Sequence, residues 1–407
     1  MKKILLVIYN FPPLGGPRSF RWLNLTKSLR RLGWEIDVLT TAPSSNDNFY
    51  DASLLNGFPD DIRIVRSYPG IYYSFIHRKS RPIQGFPKTT VEWLPFGFLK
   101  VLSSLSKKDY SLIISSGLPF VGHLLGFLIK KFYGLPWIAD YGDPLGFNPL
   151  TSQFKRKVGF HIEKAILRSV DGIIVPFDEM GDGFVENYPY LKNKTIRSIG
   201  NGIPEYLDEI TPSEFPGKFA ISYVGSFYKN VHEPYEFFKA LVSLKERRVF
   251  EHDVEIVIAG NTEDRYIQYA DKMGLGSWMK FLGQISFDNA VSLLKGAAVN
   301  LYVGGNRKDY HFPSKLLVCA AASRPILAIR QSDTDLGSDF VEKHHIGFVV
   351  PNVKSDIEKA LGDMYGYWKR GALQETFQTI STEEFSWNSR GGTLSQLLKS
   401  IIEEKGK

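Results

Sequence analysis

The sequence predicts two doubly wound α/β domains in tandem, and three observations carry that expectation. Short β-branched apolar runs alternate with longer amphipathic stretches along the whole chain. The runs are continuous in hydrophobicity, as in parallel strands covered on both faces. The alternation breaks once, between Pro204 and Gly217, where Pro, Gly and acidic residues cluster without periodicity. A length of 407 residues leaves about 200 for each side, enough for each to bury its own core.

Each element follows from its residues. The first series of strands is expected at Lys3–Ile8, Glu35–Thr40, Ile62–Arg66, Leu112–Ser115, Trp137–Ala139, Gly172–Pro176 and Thr195–Ser198. A helix over Ser19–Leu32 joins the first two, with Phe20, Leu23, Leu25, Leu29 and Leu32 apolar and Gly33 in the stop position. The second series is expected at Phe219–Val224, Glu255–Ala259, Met279–Leu282, Val299–Val303, Pro325–Ile329 and Gly347–Val350. The expected domains are therefore 1–203 and 218–385, with 204–217 as linker and 386–407 as a C-terminal helix packing back on the first domain. Two Rossmann-like domains of this kind place the crevices at their strand carboxyl ends to face across a cleft.

Composition narrows the function classes. Cys319 is the single cysteine, which excludes an intrachain disulfide framework and a thiolate zinc cluster and suits a reducing, cytoplasmic setting. Of the net charge of +7, residues up to Ile199 carry +10 and the remainder −3. A basic front half suits an anionic partner, whether lipid, nucleic acid or a phosphorylated ligand, and is equally a solvated surface rich in lysine. Lys2-Lys3 before Ile4–Ile8 imitates an export signal, but Pro12, Pro13, Gly15 and Gly16 interrupt it. The longest apolar stretch, Leu118–Ile129, is too short to span a bilayer and ends at Lys130-Lys131, which suits peripheral contact with anionic lipid.

Two glycine turns follow the first predicted strand of each series: Phe11-Pro12-Pro13-Leu14-Gly15-Gly16 and Gly225-Ser226-Phe227-Tyr228-Lys229. A strand, a glycine turn and a helix N-terminus expose backbone N–H groups at a positive dipole end, which suits an anion, although glycine also serves any tight turn. A third such place is Pro313-Ser314-Lys315-Leu316, where Lys315 at a helix start conflicts mildly with the dipole, which suits either a shared anion or an exposed solvated lysine.

Taken together, these segments resemble the retaining, nucleotide-sugar-dependent glycosyltransferases of the two-domain GT-B fold, in particular family 4. The resemblance runs through the opening glycine loop with Arg21, through Leu32-Gly33-Trp34-Glu35-Ile36-Asp37-Val38-Leu39-Thr40 and through Ile199-Gly200-Asn201-Gly202-Ile203. It continues in Tyr223-Val224-Gly225-Ser226, Ile258-Ala259-Gly260-Asn261, Phe281-Leu282-Gly283-Gln284 and Pro313-Ser314-Lys315-Leu316. Pro136-Trp137-Ile138-Ala139-Asp140-Tyr141-Gly142-Asp143-Pro144 resembles the P-W-x-x-D-x-R-D-P segment of a bacterial branch that acts in cell-surface polysaccharide assembly, with Gly142 where that branch has arginine.

The resemblance implies a nucleoside-diphosphate sugar held mainly by the back half, through Gly15, Gly16, Ser226, Lys229, Gly260, Asn261, Gln284, Ser314 and Lys315, and a glycan or lipid-linked acceptor at the front half. It implies no metal and no cofactor, since helix dipoles and basic side chains stabilise the leaving diphosphate. Asp333-Thr334-Asp335 is accordingly read as a loop and helix cap. Two glutamates usual in the family are replaced by Tyr310 and Val318, neither a carboxylate acceptor.

Asp143 and Asp140 are the polar groups expected at the end of the fifth strand, with His123 as a further catalytic candidate. Each has a plain alternative: Asp143 starts a turn, Asp140 caps backbone N–H groups, and His123 packs or caps. Glu163 reads as a solvated or salt-bridged helix residue, Lys155-Arg156-Lys157 and Lys107-Lys108 as exposed faces, and Cys319 as core. The expected activity is transfer of a hexosyl group in surface polysaccharide biosynthesis, with anionic membrane as an expected contact and no nucleic acid. A GT-B pair that binds without catalysis and a nucleotide-sugar epimerase are the alternatives.

Overall fold

The computed structural model describes residues 2–44, 50–70, 90–148, 151–227, 232–250, 253–305 and 314–405. The chain divides into two compact units, Met1–Gly202 with Trp387–Lys407, and Ile203–Ser386. All thirteen strands expected from the sequence are present, with ends shifted by at most one residue.

In the first unit, β1 (Lys3–Val7), β2 (Glu35–Thr41), β3 (Arg63–Ser67), β4 (Leu112–Ser116), β5 (Trp137–Asp140), β6 (Gly172–Val175) and β7 (Thr195–Ser198) form one parallel sheet in the order β3-β2-β1-β4-β5-β6-β7. Its helices are α1 (Pro17–Arg31), α2 (Trp93–Ser104), α3 (Val121–Tyr133), α4 (Gln153–Ser169) and α5 (Asp178–Asn187), joined by the C-terminal α12 (Trp387–Lys405). Pro17 opens α1 with its φ already set, and Gly33 (φ 84°) lets the chain turn out of it. Helix α1 buries Trp22, Leu25 and Leu29 in the cluster that holds Leu394, Leu398 and Ile401 of α12. Trp34 Nε1 donates to Ser395 Oγ at 2.8 Å, and Asp171 accepts from Lys130 (2.6 Å) and Lys405 (3.1 Å).

In the second unit, β8 (Phe219–Val224), β9 (Val254–Ala259), β10 (Met279–Gly283), β11 (Val299–Val303), β12 (Ile326–Arg330) and β13 (Gly347–Pro351) form a parallel sheet in the order β10-β9-β8-β11-β12-β13. Its helices are α6 (Tyr235–Glu246), α7 (Asp264–Lys272), α8 (Phe287–Gly296), α9 (Ser314–Ala321), α10 (Leu336–Lys343) and α11 (Lys354–Lys369). Segment 204–217 lies within this unit and is not a free linker. Leu207 is buried, Lys295 Nζ donates to Leu207 O (3.0 Å) and Ile210 O (2.7 Å), and Ser213 N donates to Ser292 O (2.9 Å). The Pro and acidic cluster marks the exit from the first sheet, and its backbone is then held by α8.

Both sheets reverse their winding beside the first strand, between β1 and β4 and between β8 and β11. Those switch points are where an open parallel sheet leaves a crevice at its carboxyl edge.

Candidate active site

At the first switch point the loop after β1 is pinned on several sides. Leu14 N donates to Phe11 O (3.1 Å), Asp51 N to Pro13 O (2.8 Å), and Ser19 Oγ to Leu14 O. Gly16 caps α1 without a side chain, and the first turn holds no acidic residue. The N–H groups of this turn thus have no side-chain acceptor from the cap, and the dipole end suits an anion.

Beneath that turn lies a cluster of charges around Asp140, which is wholly buried. It accepts from Arg18 Nη1 (3.2 Å), Arg21 Nε (3.3 Å), Arg21 Nη2 (3.1 Å), Trp22 Nε1 (2.8 Å) and Ser116 Oγ (3.4 Å). Burial alone pushes its carboxyl up, but the guanidiniums of Arg18 and Arg21 and the bonds from Arg21 and Trp22 hold it below the usual carboxylate range. A carboxylate so saturated and enclosed is a positioning group, not a base for a substrate hydroxyl.

Arg18 is the partner that sequence reasoning missed. Its Nε is buried with no hydrogen-bond partner among the described residues, and its guanidinium lies against Gly142: a Cβ built there would sit 2.5 Å from Nε and Nη2. Burial lowers the Arg18 pKa, the Asp140 carboxylate restores part, and the neighbouring Arg21 lowers it further. Two guanidiniums share the buried Asp140 carboxylate, and Asp143 adds a second negative charge that raises the Arg18 pKa. The sequence signal was present only as the absent side chain at Gly142.

His123 is also wholly buried. Ser115 Oγ accepts from Trp137 Nε1 (2.8 Å) and shares a hydrogen bond with His123 Nδ1 (2.8 Å), so the ring is held between the strand and its own helix. Burial pushes the ring down to about 3, and Tyr141 packs on it at 4.4 Å between centroids. Nε2 has no hydrogen-bond partner among the described residues. His123 as placed is a packing residue, since nothing exposes it to a reacting proton.

Asp143 alone of the three catalytic candidates is partly open. Its loop is clipped from behind by Glu163, which accepts from Leu145 N (2.7 Å), Gly146 N (2.9 Å) and Tyr188 Oη (2.7 Å). Glu163 is fully buried, and burial raises its pKa against those three bonds. This corrects the reading of Glu163 as solvated: it falls on the buried stripe of α4 with Gly159, Ile166 and Leu167.

At the second switch point, Gly225 and Ser226 leave β8 and Gly304 leaves β11. Tyr223 stacks on Phe227 (4.3 Å, 7°) and its hydroxyl donates to Ser226 O (3.3 Å), which fixes this turn. Gly260, at φ 130°, allows the loop after β9 to close on Gly225, whose carbonyl a Cβ would meet at 1.9 Å. Asn261 is exposed one strand from the switch point. Gln284 is exposed beyond edge strand β10, two strands and about 10 Å from β8. Lys315 is exposed in the first turn of α9, the helix Ser314 begins. Lys229 and Tyr310 lie outside the described residues. Val318 packs against the core of this unit, an apolar setting for the place of the family carboxylate. Asp335 caps α10, accepting from Gly337 N (3.1 Å), Ser338 Oγ (2.6 Å) and Tyr302 Oη (2.8 Å), so the D-x-D spelling at 333–335 marks a helix start.

Comparison with known proteins places this geometry in a family. Residues 16–202 match the glycosyl transferase 4-like domain, and residues 218–365 match the glycosyl transferases group 1 domain. Solved structures of the same fold include sucrose-phosphate synthase from Thermosynechococcus elongatus, at 18% identity and a TM-score of 0.66 over 99% of this chain and 100% of that one. Anabaena HepE, solved in complex with UDP and glucose, aligns at 15% identity and 0.66 over 98% and 100%. A putative UDP-N-acetylglucosamine 2-epimerase from Listeria monocytogenes aligns at 13% and 0.63 over 99% and 98%. No curated protein sequence matches the chain. With a glycosyltransferase domain matched in each unit and both parallel sheets in place, the chain belongs to the two-domain glycosyltransferases of the GT-B fold.

Proposed function

We propose that the chain transfers a sugar from a nucleoside-diphosphate donor to a glycan or lipid-linked glycan, with retention, in assembly of a surface polysaccharide. The observation that supports this best is the paired arrangement of a glycosyltransferase domain in each unit with a glycine turn at each switch point. In this reading the acceptor hydroxyl oxygen bonds to the anomeric carbon as the bond to the diphosphate breaks, and the hydroxyl proton passes to the departing phosphate. In the first unit the N-terminal end of α1 with Arg18 suits a phosphate, as does Lys315 in the second unit, and no metal or cofactor is required of them. Asp143 orients the sugar or the acceptor hydroxyl. HepE was solved with UDP and glucose, which favours a nucleotide-sugar donor here as well.

Incubating the purified chain with nucleotide sugars and lipid-linked acceptors, then determining the anomeric configuration of any product, tests the reading. A retained product supports it; an inverted product overturns the mechanism. The likeness to the Listeria epimerase supports a second reading, epimerisation. Epimerised donor formed without acceptor would select it.

A further inference from the structure

We propose that the outer face of α4 docks on an anionic phospholipid surface. Phe154, Val158 and Ile162 are 76%, 47% and 38% exposed. Their spacing of four residues draws them into one stripe along the helix. Lys155 and Lys157 are exposed beside it, and no ion pair engages either among the described residues. The single acidic residue of the helix, Glu163, is turned inward and buried. An outward face that combines bulky apolar side chains with unopposed positive charge is built to lie in a headgroup interface.

Of the place the sequence offered for lipid, Lys131 and Phe132 remain exposed, but the rest is engaged in the fold. Leu125 and Ile129 of α3 are core, and Lys130 is neutralised by Asp171 at 2.6 Å. A second copy of the chain would bring Lys155 and Lys157 against themselves across a twofold axis. Nucleic acid would leave aliphatic Val158 and Ile162 without a stacking partner. Lipid satisfies both the charges and the stripe. Helix α4 follows the loop that carries Asp143, so its N-terminal Phe154 lies toward the carboxyl edge of the first sheet, the edge with that unit's crevice. A lipid-borne acceptor would be met at that edge. The inference stands on α4 alone and is independent of the donor assignment.

The experiment is co-sedimentation of the full chain with vesicles of phosphatidylcholine alone and of an equal mixture with phosphatidylglycerol. The wild type is expected to bind only the mixed vesicles, and less as salt rises. Replacing Lys155 and Lys157 by Gln should weaken binding by roughly 25-fold, at roughly fivefold for each charge. Phe154→Ser with Val158→Ser should weaken it roughly tenfold or more. Unchanged urea midpoints show that the variants fold, and Phe154→Trp, with a blue-shifted emission on mixed vesicles only, gives a readout free of destabilisation. The proposal is overturned if the wild type ignores mixed vesicles, if either double variant binds as the wild type does, or if the serine variant instead abolishes a dimer seen by sedimentation velocity. Donor titration of the same variants should be unaffected, so failure here and failure of the transferase reading are told apart.

Discussion

Arg18 fills the space that a side chain on Gly142 would need, with Nε and Nη2 each 2.5 Å from where the Cβ would stand. These residues are far apart in sequence, yet each constrains the other. A guanidinium held there by Asp140 has an Nε without a partner among the described residues, near the N-terminus of α1. Gly142→Ala should displace it and weaken nucleoside-diphosphate binding about tenfold, the loss expected of one charged hydrogen bond. Titration of the variant with UDP and GDP checks this. Arg18→Gln should match it, and the double variant should add little to either.

Asp140→Asn should destabilise the first unit strongly, by about 3–5 kcal/mol, because Arg18 and Arg21 are left buried without their counter-charge. Urea unfolding measures it. The sign with pH follows from the lowered carboxyl. Its stabilisation is full above the ordinary Asp range and is lost as pH falls through the lower folded value, so acid unfolding should lose this term and the Asn variant should not.

His123 makes a second pH test, of the same sign, of its assignment. Its folded pKa of about 3 lies below the ordinary 6.5, so the unfolded chain binds the extra proton between those values. Stability should therefore fall as pH drops below 6.5 toward 3, by about 1.4 kcal/mol per unit from this group. His123→Phe should flatten that slope in denaturation curves taken across the window. Loss of all turnover in a variant of unchanged stability would return His123 to the reacting atoms.

Glu163→Gln should cost about 1–3 kcal/mol, since its amide nitrogen cannot accept from Leu145 N or Gly146 N. Hydrogen exchange should rise at those two amides first. If the clip positions Asp143 as argued, turnover should fall in this variant while nucleotide affinity holds.

How much of this was legible follows from range. Ile4–Val7 and Ile113–Ile114 announce parallel strands by composition alone, and Gly33 marks the end of α1 locally. The switch-point glycines could be read for the same reason, since a turn is decided by its own residues. The site's electrostatics could not be read. Asp140 meets partners on α1 more than a hundred positions away, and whether it orients substrate or structure depends on how many of them arrive. Glu163 reads as solvated because helix carboxylates usually are, and only the periodicity of Gly159, Ile166 and Leu167 places it inward. Lys130 looked free for lipid until Asp171, at the start of another strand, was found beside it.

Calorimetric titration of the purified wild-type chain with a panel of UDP-, GDP- and dTDP-sugars tests the central claim most directly. The account predicts saturable binding, one site per chain, for at least one donor, weakened about tenfold by Arg18→Gln and also weakened by Lys315→Ala. No heat with any donor, from a chain whose circular dichroism shows the α/β fold intact, would contradict it.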